Sequence, residues 1–161
     1  MAIRREEYER VVRGSAQKLY KTALAVTGSP ADAEDAVQDC FLRLWEKSPS
    51  FTSTEHETAW LIRVTVNLAK NRLKSAWRRR TVPLAENIPF YDEQERGLLE
   101  AVAQLPANDR AVIHLFYYEG YSTREIARMT KQRETTVRSR LSRARVKLKG
   151  LLEDEQIQKN R

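Results

Sequence analysis

Cysteine and histidine are nearly absent from this chain: one thiol, Cys40, and two imidazoles, His56 and His114, in 161 residues. A lone thiol excludes an internal disulfide and a thiolate metal cluster, and Cys40 is read as a small residue on a helix interior. The histidines sit in different segments with no second ligand at metal spacing, so ordinary structural or surface roles are expected, with no metal and no cofactor. Glycine and proline are scarce, five of each, and β-branched runs are few; both features point to an all-α protein. No apolar run approaches the length of a membrane span. The start, Met1-Ala-Ile-Arg-Arg-Glu-Glu7, is charged where a signal peptide would be apolar. No membrane insertion and a cytoplasmic location are therefore expected. The length suits one domain or two small ones, and 41% hydrophobic residues let each half bury a modest core.

What the chain has in quantity is positive charge, concentrated in two places. Residues 133–149 carry a net +6 and residues 63–80 a net +7, against +7 for the whole protein, so the remainder is acidic at −6. A basic run alone is often only a solvated face. Two such runs on an otherwise acidic chain fit two phosphate-contacting surfaces better than general stickiness.

The second basic run is built like a recognition helix. From Glu134 to Lys149 the apolar residues Val137, Leu141, Ala144 and Leu148 recur at helical spacing. Arg138, Ser139, Ser142 and Arg143 point away from that stripe, so one face can pack while the other reads a polyanion. Upstream, Ser122-Thr-Arg-Glu125 is a capping box that opens a shorter helix through Ile126, Ala127 and Met129, and a polar turn, Thr130 to Arg133, separates the two. The pattern is a helix-turn-helix.

Earlier in the chain, periodicity predicts a helix from about Arg4 to Val26, with Gly14 as a weak point and Gly28 as its C-cap. Ser29 as N-cap, Pro30 at the first position, and Asp32, Glu34 and Asp35 near the positive end of the dipole mark the next helix. It buries Ala33, Val37, Phe41 and Leu44 and ends near Lys47. A loop over Ser48–His56 leads to a third helix, about Thr58 to Arg79, whose apolar residues suggest packing on two opposite sides. Between them runs a polar stripe of Arg63, Asn67, Lys70 and Lys74, with Asn71 and Arg78 at its edge. Periodicity fails over 81–94, a stretch with two prolines and several acids, read as a flexible linker that leaves the halves to move independently. The boundaries are therefore 1–80, 81–94 and 95–161. A helix over 97–104, a break at Leu105-Pro106, a further helical stretch through Phe116 and a turn at Glu119-Gly120 precede the helix-turn-helix. The tail from Glu153 is expected to fray.

At three blocks the sequence resembles the extracytoplasmic-function (ECF) sigma factors of bacterial RNA polymerase. They are Gly28-Ser-Pro-Ala-Asp-Ala-Glu-Asp-Ala-Val-Gln-Asp-Cys-Phe-Leu-Arg-Leu-Trp45, Ala59-Trp-Leu-Ile-Arg-Val-Thr-Val-Asn-Leu-Ala-Lys-Asn-Arg-Leu73 and Thr136-Val-Arg-Ser-Arg-Leu-Ser-Arg-Ala-Arg145. The resemblance implies two helical domains, sigma region 2 over 1–80 and region 4 over 95–161, and a non-enzymatic role: binding core RNA polymerase and directing initiation at particular promoters. It assigns Asp35, Gln38, Asp39 and Trp45 to docking on the polymerase. Arg63, Asn67, Lys70, Asn71 and Lys74 are assigned to the melted minus-ten element, with Phe51 and Trp60 available to stack on an unpaired base. Arg138, Ser139, Ser142 and Arg143 meet the minus-thirty-five element, and Arg140, Arg145 and Lys147 its phosphates. By family habit a separate anti-sigma factor is implied. Two positions depart from the pattern: Thr135, read as an N-cap, stands where many relatives have glycine, and Ser142 replaces a bulkier residue.

Two other classes of function fit the sequence less well. An autonomous helix-turn-helix regulator would need a dimer interface or sensor, where residues 1–80 offer the docking pattern instead. A nuclease metal site at Asp32, Glu34, Asp35 and Asp39 lacks a catalytic base or lysine, and helix capping accounts for most of those acids.

Overall fold

The computed structural model describes residues 2–78 and 100–159, with side chains as far as Ser75 in the first stretch and Leu151 in the second. Among these residues there are helices and no strand. The linker expected over 81–94 lies outside the described residues, as does the start of the helix expected over 97–104, of which residues 100–102 are helical.

The first unit is three helices whose ends are fixed by short-range chemistry. Helix α1 (Arg5–Thr27) runs unbroken through Gly14 and stops at Gly28, whose φ of 67° lets its N–H reach the Leu24 carbonyl. Helix α2 (Pro30–Lys47) starts where Ser29 Oγ accepts from Asp32 N at 3.3 Å, and buries Ala33, Ala36, Val37, Cys40, Phe41 and Leu44. Burial pushes the Cys40 thiol up to about 11, which makes it a packing residue and a poor nucleophile. Helix α3 (Thr54–Arg78) begins four residues earlier than periodicity predicts. Ser53 Oγ accepts from His56 N at 3.1 Å, and Glu55 and Glu57 sit at the positive end of the dipole. Leu61, Ile62, Thr65, Val66, Leu68 and Ala69 are buried on α3. At about 100° per residue they fill one arc roughly 160° wide, where two opposite apolar sides were expected.

The second unit centres on the helix-turn-helix. Helix α4 (Ala107–Ile113) widens over His114–Tyr118 into a π-type turn in which Glu119 N donates to the His114 carbonyl at 3.1 Å. Helix α5 (Thr123–Thr130) has the expected reciprocal cap, Glu125 N to Ser122 Oγ at 3.1 Å and Ser122 N to Glu125 Oε1 at 3.0 Å. Lys131, at φ 53°, closes it. Helix α6 (Glu134–Lys159) takes Thr135 into its first turn, so that residue is not the N-cap, and it continues through the tail expected to fray. Its stripe Val137, Leu141, Ala144 and Leu148 is buried, the most exposed of the four at 8%.

The two units are not apart. Helix α3 lies against α5, and α1 against α4 and the π-type turn; the buried apolar side chains of both units form one continuous cluster. Lys18 Nζ donates to Tyr121 Oη at 2.8 Å and Lys21 Nζ to Tyr118 Oη at 3.0 Å. Arg110 is the most deeply committed link. Its Nη2 donates to the Val26 carbonyl in the last turn of α1, and its Nη1 to the Ala103 and Leu105 carbonyls. No acid joins it in an ion pair among the described residues, and Nε is buried without a partner. The cation is thus held by carbonyl oxygens, one of them at the negative end of a helix. Independently moving halves were expected from the aperiodic, proline-containing stretch 81–94; the contacts that join the units link residues far apart in the chain, which no local pattern reports.

Replacing Arg110 with Met keeps its apolar stem and removes all three bonds. Melting should show a loss of about 1–3 kcal/mol, and small-angle scattering a larger radius of gyration. An unchanged radius would mean that the apolar contacts alone hold the units together.

Candidate polymerase and nucleic-acid interfaces

The exposed side of α2 combines acids, an amide and apolar groups. At about 100° per residue, Trp45, Gln38, Leu42, Asp35 and Asp39 fall within an arc of roughly 120°. Leu42 is 54% and Trp45 48% exposed, two large apolar side chains one helical turn apart on the same face. Trp45 is steadied by an edge contact with Tyr8 at 5.1 Å between centroids. Gln38 is exposed with no side-chain hydrogen bond among the described residues. Asp35 and Asp39 share one cation from α3: Arg72 reaches Asp35 Oδ2 at 3.3 Å and Asp39 Oδ2 at 3.4 Å. The structure therefore brings the four expected docking residues together and adds Leu42 and Arg72. Leu42 was hidden in the sequence because it looks like one more core leucine; Arg72 was hidden because its partners lie on another helix.

On α3 the polar stripe lies outside the buried arc. Asn67, Asn71 and Lys74 are exposed, while Arg63 and Lys70 are half-buried. Burial, together with the cations of Arg140 and Lys74, pushes the Lys70 ammonium down from its ordinary value. This is the side where the second unit approaches. Phe51 and Trp60 pack edge to face at 5.8 Å, and Phe51 makes a similar contact with His56 at 5.4 Å. Both aromatics rest against the core and keep partial exposure.

On α6 the outward face holds Arg138, Ser139, Ser142 and Arg143, all exposed. Arg138 makes a surface pair with Glu134 at 2.8 Å, a contact weak enough to exchange for a ligand. Val146, 74% exposed, projects from the same arc and was not singled out from sequence. The expected phosphate contacts separate into two kinds. Arg140 turns inward, with Nη1 on Asp109 Oδ1 at 3.0 Å and Nε on Gln132 Oε1 at 3.0 Å, and joins α6 to α4. Arg145 and Lys147 stay at the surface: Arg145 bonds Tyr117 Oη and lies 5.5 Å from the Phe116 and Tyr117 rings, and Lys147 donates to the Gln104 carbonyl.

His114 is 6% exposed, pairs with Glu119 at 3.2 Å and stacks on Tyr118. Among the described residues no cluster of His, Cys, Asp or Glu could hold a metal ion, and no helix is long and apolar enough to cross a membrane.

Comparison with known proteins agrees with this layout. The sigma-70 region 2 family matches residues 11–79 and the sigma-70 region 4 family residues 95–148. The chain is 32% identical over 153 residues to the ECF RNA polymerase sigma factor SigM of Mycobacterium tuberculosis, covering 92% of this chain and 78% of SigM. It is 36% identical over 134 residues to SigL of the same species, covering 76% of each. Among solved structures, the sigma factor RpoE of Bartonella quintana, in complex with the anti-sigma factor NepR, shares the fold. Its TM-score is 0.78 at 24% identity, over 92% of this chain and 98% of that one. CnrH, in complex with the cytosolic domain of CnrY, gives 0.71 at 25% identity, over 94% and 90%. With both sigma-70 regions in order and such relatives matched over most of their length, the chain belongs to the ECF RNA polymerase sigma factors.

Proposed function

We propose that this ECF sigma factor, which serves promoter-specific initiation by RNA polymerase, divides its task among three faces. The exposed side of α2 docks on core polymerase through Asp35, Gln38, Leu42, Asp39 and Trp45. The stripe on α3 holds the melted minus-ten strand, with Asn67 and Asn71 as base readers and Arg63, Lys70 and Lys74 as its cations. The outward face of α6 enters the major groove of the minus-thirty-five element with Arg138, Ser139, Ser142 and Arg143, while Arg145 and Lys147 contact phosphates. Arg140, tied to Asp109, holds the recognition helix in place, and Val146 supplies an apolar contact to a thymine methyl.

The observation that carries this reading is the sorting of polar groups on α3. Amides stand exposed among cations on a helix whose opposite arc is buried in the core. Phosphate binding alone needs only Lys or Arg, whereas an amide offers both a donor and an acceptor to a base edge. By the same logic the partners are core polymerase and promoter DNA. The anti-sigma factor bound by the RpoE relative supports a separate anti-sigma partner for this chain as well.

Three outcomes follow. Asn67→Ala should impair strand opening on a duplex promoter more than on a template already mismatched over the minus-ten region, as read by permanganate footprinting; equal defects would leave Asn67 without a base-reading role. Arg143→Ala should cost about 1–3 kcal/mol and relax preference at one base pair, whereas Lys147→Ala should weaken all sequences alike and lower the salt slope by about one counterion. A uniform loss for Arg143 would make it a phosphate contact. Finally, Gln38→Ala combined with Leu42→Ala should weaken holoenzyme assembly and leave the melting temperature nearly unchanged, because both side chains are exposed; undiminished polymerase binding would remove α2 from the docking surface.

A further inference from the structure

We propose that Arg72 is a positioning residue for polymerase docking: from α3 it fixes the geometry of the Asp35 and Asp39 carboxylates on α2. The inference rests on the docking reading of those two acids and adds a residue to it. Asp35 and Asp39 are one helical turn apart, on the same side, where like charges repel. A single guanidinium lies between them, one terminal nitrogen 3.3 Å from Asp35 Oδ2 and the other 3.4 Å from Asp39 Oδ2. Because the guanidinium is a planar fork with fixed spacing between its nitrogens, it sets the separation and tilt of the two carboxylates together, which a flexible ammonium cannot do.

Arg72 meets each carboxylate through Oδ2, at 3.3 Å for Asp35 and 3.4 Å for Asp39. The aspartate side chains remain 46% and 41% exposed, so each keeps acceptor capacity for donors on an approaching protein. The arrangement holds the acids without consuming them. Partly exposed ion pairs contribute little to stability, so the effect of Arg72 belongs in docking and not in melting. Arg72 also stands beside Asn71, which makes α3 the common frame for the docking acids and the base-reading stripe.

The test is a cycle on the full-length protein, with affinity for purified core RNA polymerase as the readout. Variants are Arg72→Ala, Arg72→Lys, Asp35→Asn with Asp39→Asn, and the combination of all three alanine and asparagine changes. Arg72→Ala is expected to weaken docking by roughly five- to tenfold with an unchanged melting temperature, a coupling of the size seen between contacting residues. Arg72→Lys should recover only part of that. In the asparagine background the further loss of Arg72 should have almost no effect, because it has nothing left to position. Wild-type affinity for Arg72→Ala would overturn the inference, as would an equal loss in both backgrounds, which would mean that Arg72 touches polymerase itself. A fall in melting temperature that accounts for the weakened docking would reduce it to a structural residue. If the asparagine variant binds polymerase as well as wild type, the docking reading of the two acids fails, a result distinct from failure of Arg72 alone.

Discussion

Helix α3 packs against α1, α2 and α5, and that shared packing decides what the rest of its surface can present. Leu61, Ile62, Val66, Leu68 and Ala69 are each 8% exposed or less, and burial on this scale is worth about 1.5–3 kcal/mol for each large aliphatic side chain. A helix locked along one broad arc has no freedom to roll about its axis. Its opposite residues, Asn67, Asn71 and Lys74, therefore keep a fixed direction, as the base reading proposed for them requires. The same rigidity carries to α2, because Arg72 leaves this helix to meet Asp35 and Asp39.

A chain with 29 cations must decide which of them to keep at home. Arg72, Arg110 and Arg140 reach across between helices and find carboxylates or carbonyl oxygens. Lys18 and Lys21 reach across to tyrosine hydroxyls. Arg143 stays outward, with no ion pair or hydrogen bond among the described residues. Internal partners are placed where units or helices must be joined, and outward-facing cations lie where a polyanion can approach. Charge counting alone treats Arg140 and Arg143 as equals. The Asp109 carboxylate, 8% exposed and 3.0 Å from Arg140, separates them, since removing that cation would leave a buried charge unpaired.

Sequence reading succeeded where the determining physics is local. The Ser29 and Ser122 caps, the Gly28 stop and the buried stripe of α6 depend on residues within a turn or two of one another, and each stands as periodicity and capping chemistry predict. It failed where the determinant is distant. The early start of α3 is the exception, since its Ser53 cap is local and lies within the stretch that periodicity assigns to a loop. The π-type turn at His114–Tyr118 has no sequence signature; there His114 is buried against Glu119 and Tyr118. The packing of the two units rests on Lys18–Tyr121 and Arg110–Val26 contacts between residues 103 and 84 positions apart, which no periodicity reports. For the proposed interfaces, composition and face were legible on α2, α3 and α6, whereas Leu42, Arg72 and Val146 needed the exposure and the cross-helix distances.

The packed arrangement leaves Asn67, Asn71 and Lys74 on α3 and Ser139, Ser142 and Arg143 on α6 exposed at the same time, so joining the units does not by itself hide the two faces proposed to meet nucleic acid. What it fixes is their separation, and a ligand that spans both faces at a different one must meet the cost of parting them. The lysine–tyrosine bonds are half-exposed and worth about 1 kcal/mol or less apiece. Arg110 is different: its guanidinium is partly desolvated and its carbonyl partners belong to both units, so parting strips a charged group of a bond that water must replace. The ease of rearrangement therefore turns less on how many contacts cross the interface than on how readily water reaches that one arginine.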